Sequence, residues 1–277
     1  MNLKSARPIS GRHLGWSAED LATRPYARFW NPEMADLSEG AVQAVANSPV
    51  AEDLLPPMLE AVQDIEGAPI QNGYTLTGDG AAHINLLTPM PEVSPAMIDW
   101  WFGWHSDSPE RYKMWHPRAH VHASWLEPPA PGTRGRDRYV GRTSLVDEFV
   151  GSSLGRFAIS FRHPQEVGLH DPDVAGGVDA TAVCARVGLV DLPVDVGYLV
   201  HLVSRTDSGS VMRSRFWIGL PYTQTRSKPL KAVLPLAKSF IKLTENEARA
   251  LMVHCAQEMA HSATFLPALH AEFHDQD

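Results

Sequence analysis

The sequence predicts an α+β domain: a meander of antiparallel strands followed by one long C-terminal helix. Three observations predict it. From Tyr74 to Ile218, short β-type runs alternate with turn residues, as in strands joined by tight connections. After Thr244 the period changes. Thr244-Glu245-Asn246-Glu247 is a capping box, and Ala248 to Ala263 then runs without Pro or Gly, enough for roughly four helical turns. The resulting order, strands, a helix, many strands and a terminal helix, is that of an α+β fold.

Taken in order, residues 1–70 form a separate segment. Scattered Pro and Trp (Pro8, Trp16, Pro25, Trp30, Pro32, Pro49, Pro56, Pro57) break it up, and short helical patterns lie at Glu39 to Ala46 and Met58 to Ile65. It reads as an irregular, partly helical arm that packs on its own domain or on a second subunit. Residues 71–277 form the main domain. Tyr74 to Thr77 and His83 to Leu87 are short strands around Gly78-Asp79-Gly80. Ser94-Pro95 opens a helix, Ser as N-cap and Pro at the first helical position, and that helix ends near Ser106 to Pro109. Its Trp100, Trp101, Phe102 and Trp104 read as core and cavity wall. His120 to Trp125 is a strand by alternation, and the Pro- and Gly-rich stretch from Leu126 to Asp137 is a loop. Further strands are expected at Thr143 to Val150, Phe157 to Phe161, Ala180 to Val187, Val196 to Val203 and Met212 to Ile218.

Composition narrows the function. The chain has 277 residues, 44% hydrophobic and 20% charged, which suffices for a packed core. Its net charge of −8 with His neutral gives no basic face for nucleic acid. No apolar run reaches the roughly 18 residues of a membrane span, and the first residues lack a signal-peptide core. Cys184 and Cys255 are the two cysteines, so no disulfide framework is expected and a reducing, cytoplasmic location is. There is no GxGxxG after a strand, P-loop, GxSxG or HExxH.

Four segments can carry chemistry. His254 and Glu258 lie at i and i+4 on the terminal helix, so they share one face and can grip one divalent ion; His261 continues that face. The same spacing also suits a surface ion pair. His116, His120 and His122 fall within seven residues; if His120 opens a strand, it and His122 share a face. A solvated His cluster is the alternative. Asp147 and Glu148 are adjacent in a strand pattern, so only one can point inward, although an edge or turn would expose both. His201 sits among apolar residues, as a core histidine or a catalytic one. Cys255 lies about 100° around the helix from His254 and is not expected in the same site.

Taken together, Trp100-Trp101-Phe102, Arg111-Tyr112-Lys113-Met114-Trp115-His116-Pro117 with His120, the Glu148 and His201 strands and His254-x-x-x-Glu258 resemble the 2,4-diacetylphloroglucinol hydrolase family, which includes phloretin hydrolase. The match runs in order over roughly residues 70 to 265. The resemblance implies a helix-grip (Bet v1-like) fold, in which a curved antiparallel sheet wraps a long C-terminal helix around a ligand cavity, with the smaller N-terminal segment helping to form a homodimer. It implies one zinc ion per chain on His120, Glu148, His254 and Glu258, with His116 as reserve for His120. It implies hydrolysis of the carbon–carbon bond between an acyl group and a phenolic ring. Tyr112 would hold or protonate a phenolic oxygen, and His201 would serve as hydrogen-bond donor or acid/base at the acyl carbonyl. Trp115, His116 and Phe216 would contact a small phenolic ketone. Phe216 departs from the family, which carries a second active-site Tyr there, and this puts the ring-hydroxyl pattern of the substrate in question. Two other functions compete: a non-catalytic carrier of apolar ligands, and an iron oxygenase built on two His and a carboxylate. A carrier has no use for two buried imidazoles and two buried carboxylates.

Overall fold

A computed structural model describes residues 12–170, 179–229 and 243–275. Its centre is a nine-stranded antiparallel sheet: β1 (Gly73–Leu76), β2 (Ala81–Pro91), β3 (His120–Trp125), β4 (Thr143–Val150), β5 (Ser153–Arg162), β6 (Ala180–Leu189), β7 (Val194–Thr206), β8 (Gly209–Gly219) and β9 (Gln224–Thr225). The spatial order is β1-β2-β8-β7-β6-β5-β4-β3, with β9 on β7. From β3 to β8 each strand pairs with its sequence neighbour. β2 joins the far side of β8, and the chain crosses to the opposite edge through two helices. The C-terminal helix, the sixth α-helix among the described residues, is α6 (Glu245–Phe273). It packs on β1 and β2 near one edge of the sheet and on β4 near the other, so the sheet curves around it. This is the helix-grip arrangement that the resemblance implies.

Alternation along β7 shows how the sheet is filled. His201 and Val203 face α6. Val200 and Leu202 face outward and pack with Trp217 against Met58, Val62 and Ile65 of the N-terminal arm. That arm carries α1 (Ala18–Thr23), α2 (Glu39–Ala46) and α3 (Met58–Ala61). Arg215 clamps it. This guanidinium is 1% exposed and donates to the carbonyls of Leu86, Ser214 and Ile65 and to Gln71 Oε1. Tyr26, Ala41 and Ala44 enter the main core, so the arm packs on its own domain.

Two elements run differently from the sequence reading. The aromatic helix, α4 (Pro95–Trp104), is followed by a separate α5 (Pro109–Trp115). Ser108 caps α5, its hydroxyl accepting from Arg111 N at 3.3 Å, and Pro109 occupies the first turn, repeating the Ser94-Pro95 device. Also, α6 continues past Ala263 through Pro267 to Phe273. A proline inside a helix costs roughly 3 kcal/mol. Burial of Leu266 and Leu269, both 0% exposed, and of Phe273 beyond it offsets that cost. No helix among the described residues is long and apolar enough to cross a membrane.

Candidate active site

Between the concave face of the sheet and the N-terminal half of α6 lies a cavity of about 380 Å³. Its size is that of a small-molecule site. Most of the lining is apolar. Of the exceptions, Tyr112, Glu148, His254 and Glu258 gather on one wall, where α5, β4 and α6 meet, while His201 is on β7 and Ser152, Ser153, Asn246 and Glu247 belong to the β4–β5 turn and the start of α6.

His120 is the first residue of β3. Its Nδ1 donates to Tyr112 O at 2.9 Å, and since a carbonyl can only accept, the lone pair is on Nε2. His254 is arranged the same way, with Nδ1 donating to Phe149 O at 3.0 Å. The two Nε2 atoms are 3.3 Å apart. Two lone pairs at that distance cannot hydrogen-bond to each other. Glu148 Oε2 is 3.6 Å from His120 Nε2 and 3.8 Å from His254 Nε2. Glu258 Oε2 is 3.4 and 3.7 Å from the same atoms. His120, Glu148 and His254 form a compact triad that could hold a metal ion, with Glu258 beside both imidazoles. In a tetrahedral zinc site with ligands at about 2 Å, neighbouring donor atoms stand about 3.3 Å apart, so the set fits such an ion.

The electrostatics point the same way. Burial pushes the Glu148 carboxyl up to about 7, against the hydrogen bond it accepts from Tyr112. Burial and the neighbouring Glu148 hold Glu258 well above the usual carboxylate range. Burial lowers His254 to about 4, and burial with the nearby His254 holds His120 well below the usual histidine range. Burial is the first cause in all four, so without a metal the carboxyls and imidazoles favour their neutral forms. A divalent cation would favour the carboxylates again and use the imidazole lone pairs as ligands.

Strand register explains which carboxylate and which imidazole point inward. His120 pairs with Glu148 across β3–β4, but a bulge follows, and His122 pairs with Asp147. The expectation that His120 and His122 share a face is therefore corrected: the irregular residue reverses the parity. Asp147 and His122 are on the convex side, where Asp147 pairs with Arg12 and, at 3.5 Å, with Arg156. Both carboxylates are in a regular strand rather than a turn.

The other expected residues are placed as follows. Tyr112 lines the cavity, donates to Glu148 Oε2 and stacks on His120 with ring centroids 3.8 Å apart. Trp115, His201 and Phe216 line the cavity as well. His201 Nδ1 is 2.8 Å from Ser214 Oγ, and burial lowers the imidazole to about 3, so it is neutral. His116, expected on the substrate side, is elsewhere. It caps α5, bonds Gln257 Oε1 through Nε2 at 3.1 Å and stacks on His254 from behind, at a groove outside the cavity. The short turn from His116 O to His120 N, 2.9 Å, sends the two side chains to different places. His261 accepts from Ala35 N and stands apart from the cluster. Sequence reasoning missed His105, which stacks on Tyr112 and lines the cavity, and Ser214, which fixes His201. Cys255 lines the cavity but is outside the triad. Of the aromatic helix only Phe102 reaches the cavity; Trp101 and Trp104 are core.

Residues 58–271 match the family model described as DAPG hydrolase PhiG domain. A 2,4-diacetylphloroglucinol hydrolase of Pseudomonas sp is 30% identical over 264 residues, 91% of this chain and 90% of that protein. Phloretin hydrolase of Eubacterium ramulus is 26% identical over 263 residues, 90% of each chain. Among solved structures, Ara h 8.0201 aligns with a TM-score of 0.38 and 10% identity over 68% of this chain and 99% of that one. With three quarters of its length inside the family match and curated relatives aligned nearly end to end, the chain belongs to the DAPG hydrolase family.

Proposed function

We propose that the protein is a zinc-dependent hydrolase that cleaves the carbon–carbon bond between an acyl group and a phenolic ring. The observation that carries this reading is the pair of facing Nε2 lone pairs, 3.3 Å apart and flanked by Glu148 and Glu258, on the wall of a mostly apolar cavity. Family membership supplies the reaction class.

His120, His254, Glu148 and Glu258 would hold one ion per chain. When bound, such an ion supplies Lewis acidity and makes hydroxide available near neutral pH, and two carboxylates temper its charge toward zero. The chain's own residues do the rest. The reaction adds water across the aryl–acyl bond: oxygen joins the acyl carbon, and the ring carbon takes a proton. An aryl carbanion leaves poorly. Protonating the acyl-bearing carbon first gives a keto tautomer, so the bond electrons depart into an enolate that relaxes to a phenol. Tyr112 lines the cavity with its hydroxyl donating to Glu148 Oε2, and in this reading it holds or protonates a ring oxygen of the substrate. Burial keeps its hydroxyl protonated. His201, neutral and anchored through Nδ1, offers Nε2 to the acyl carbonyl. Phe102, Trp115 and Phe216 flank the ring and exclude water. Assembly as a homodimer through residues 1–70 belongs to the same proposal.

The test is direct. The purified protein is given an acylphloroglucinol, and deacylated phenol and carboxylic acid are measured by chromatography. Equimolar release that a chelator stops supports the reading. Tight binding without turnover in zinc-loaded protein would instead make the protein a carrier.

A further inference from the structure

Cross-strand rows on the concave face divide the cavity into two chemically different halves. One row runs through Val183, His201 and Ser214. The next holds Leu199 and Phe216, and the one beyond it Ile159, Val187, Gly197 and Ile218. Each row is two residues along the strand, so the last lies roughly 13 Å from His201. Polar groups sit at the His201 end and on the Glu148 wall. In the far row the polar residue is Ser144, opposite Ile159 on β4, and its hydroxyl is already bonded to Ser106 Oγ at 2.9 Å. In the far half Ile159, Val187 and Leu199, with Leu251 from α6, point inward yet remain partly exposed, because the cavity and not protein covers them.

That is more space than one ring needs. A cavity of about 150 Å³ accommodates benzene, and 380 Å³ leaves more than half for the remainder of the substrate. Gly197 keeps the floor of the far half low, since a Cβ there would meet Ile218 Cδ1 at 2.5 Å. The polar rim groups are partly engaged already: Glu247 bonds Thr244 N and Oγ.

We infer that the lobe formed by Val187, Leu199, Ile218 and Leu251 is an acyl-chain subsite, and that the preferred substrate is an aryl ketone with an unbranched alkanoyl chain of several carbons. This rests on the hydrolase reading and names the substrate class of the same site. An acetyl group leaves the lobe empty of ligand.

The experiment measures dissociation constants by calorimetry for acetyl-, butanoyl- and hexanoyl-phloroglucinol on the zinc-supplied protein, with turnover of each followed separately. Affinity should rise about fourfold per added methylene. In Val187→Phe, checked for folding by circular dichroism, the hexanoyl-to-acetyl ratio should collapse toward one. Equal affinity along the alkanoyl series, or a ratio unchanged in Val187→Phe, overturns the subsite whether or not turnover occurs. Failure of every compound to turn over, with the affinity gradient intact, overturns the hydrolase reading and leaves the subsite standing.

Discussion

Glu148 stands directly opposite His120 in the β3–β4 ladder, with Oε2 3.6 Å from Nε2, while the residues just beyond the bulge, His122 and Asp147, pair on the other face. One irregular residue therefore turns His122 away from the cavity that His120 reaches. Removing each imidazole tests it. His120→Ala should lose bound metal and activity. His122→Ala should keep both within about twofold, as for a substitution outside the site. Elemental analysis and a deacylation assay read both, and loss of metal in His122→Ala alone would mean the register is wrong.

Tyr112 bonds the Glu148 carboxylate and stacks on the His120 ring. Tyr112→Phe keeps the stacking and removes the proton. It should retain the metal and lose about 10²- to 10⁴-fold in kcat, the range for a general acid. Loss of metal in step with activity would make the tyrosine a support for Glu148 instead.

Ser214 is buried at 0% exposure and bonded to His201 Nδ1. It is a positioning residue: with Nδ1 engaged, Nε2 is left for the cavity. Ser214→Ala should lower kcat about 10- to 100-fold, by analogy with the partners that orient metal-ligating histidines. KM and metal content should change little, and Ser214→Thr should restore the rate. A KM effect alone would place Ser214 in packing.

Burial holds His105 at about 4 in the folded chain, against 6.5 for an ordinary histidine. As pH falls below 6.5 the unfolded chain takes up the proton first. The contribution is therefore fully present above pH 6.5 and is lost toward pH 4. Between pH 7 and 5 it amounts to about 2 kcal/mol. Glu148, pushed up to about 7, works in the opposite direction in metal-free protein, so the comparison must be with a variant. Urea unfolding of His105→Phe should lose about 2 kcal/mol less than wild type over that pH range. An identical loss in both would show that His105 is not buried neutral.

Local signals in the sequence were sufficient for much of this fold. The Thr244 capping box starts α6 where expected, and the period-2 runs became β4 to β8, with ends shifted by a few residues. What was not legible depends on distant partners. Pro267 stops a helix read locally, yet Leu266, Leu269 and Phe273 bury enough apolar surface to carry α6 past it. The β3 bulge has no proline or glycine to announce it, so the parity of His122 could not be read. Which of Asp147 and Glu148 points inward follows only once β4 has its neighbours. Ser214 meets His201 because β7 and β8 pair, a contact that neither strand's own pattern reveals. His116 and His120 differ by four residues, and only the turn between α5 and β3 separates their roles.

The central claim is that two imidazoles and two carboxylates converge to hold one metal ion. Elemental mass spectrometry of the purified protein and of Glu258→Ala tests it most directly. The account predicts about one zinc per chain in the wild type and its loss in the variant, with the fold intact by circular dichroism. A wild-type protein that binds no metal even after zinc is supplied would contradict it.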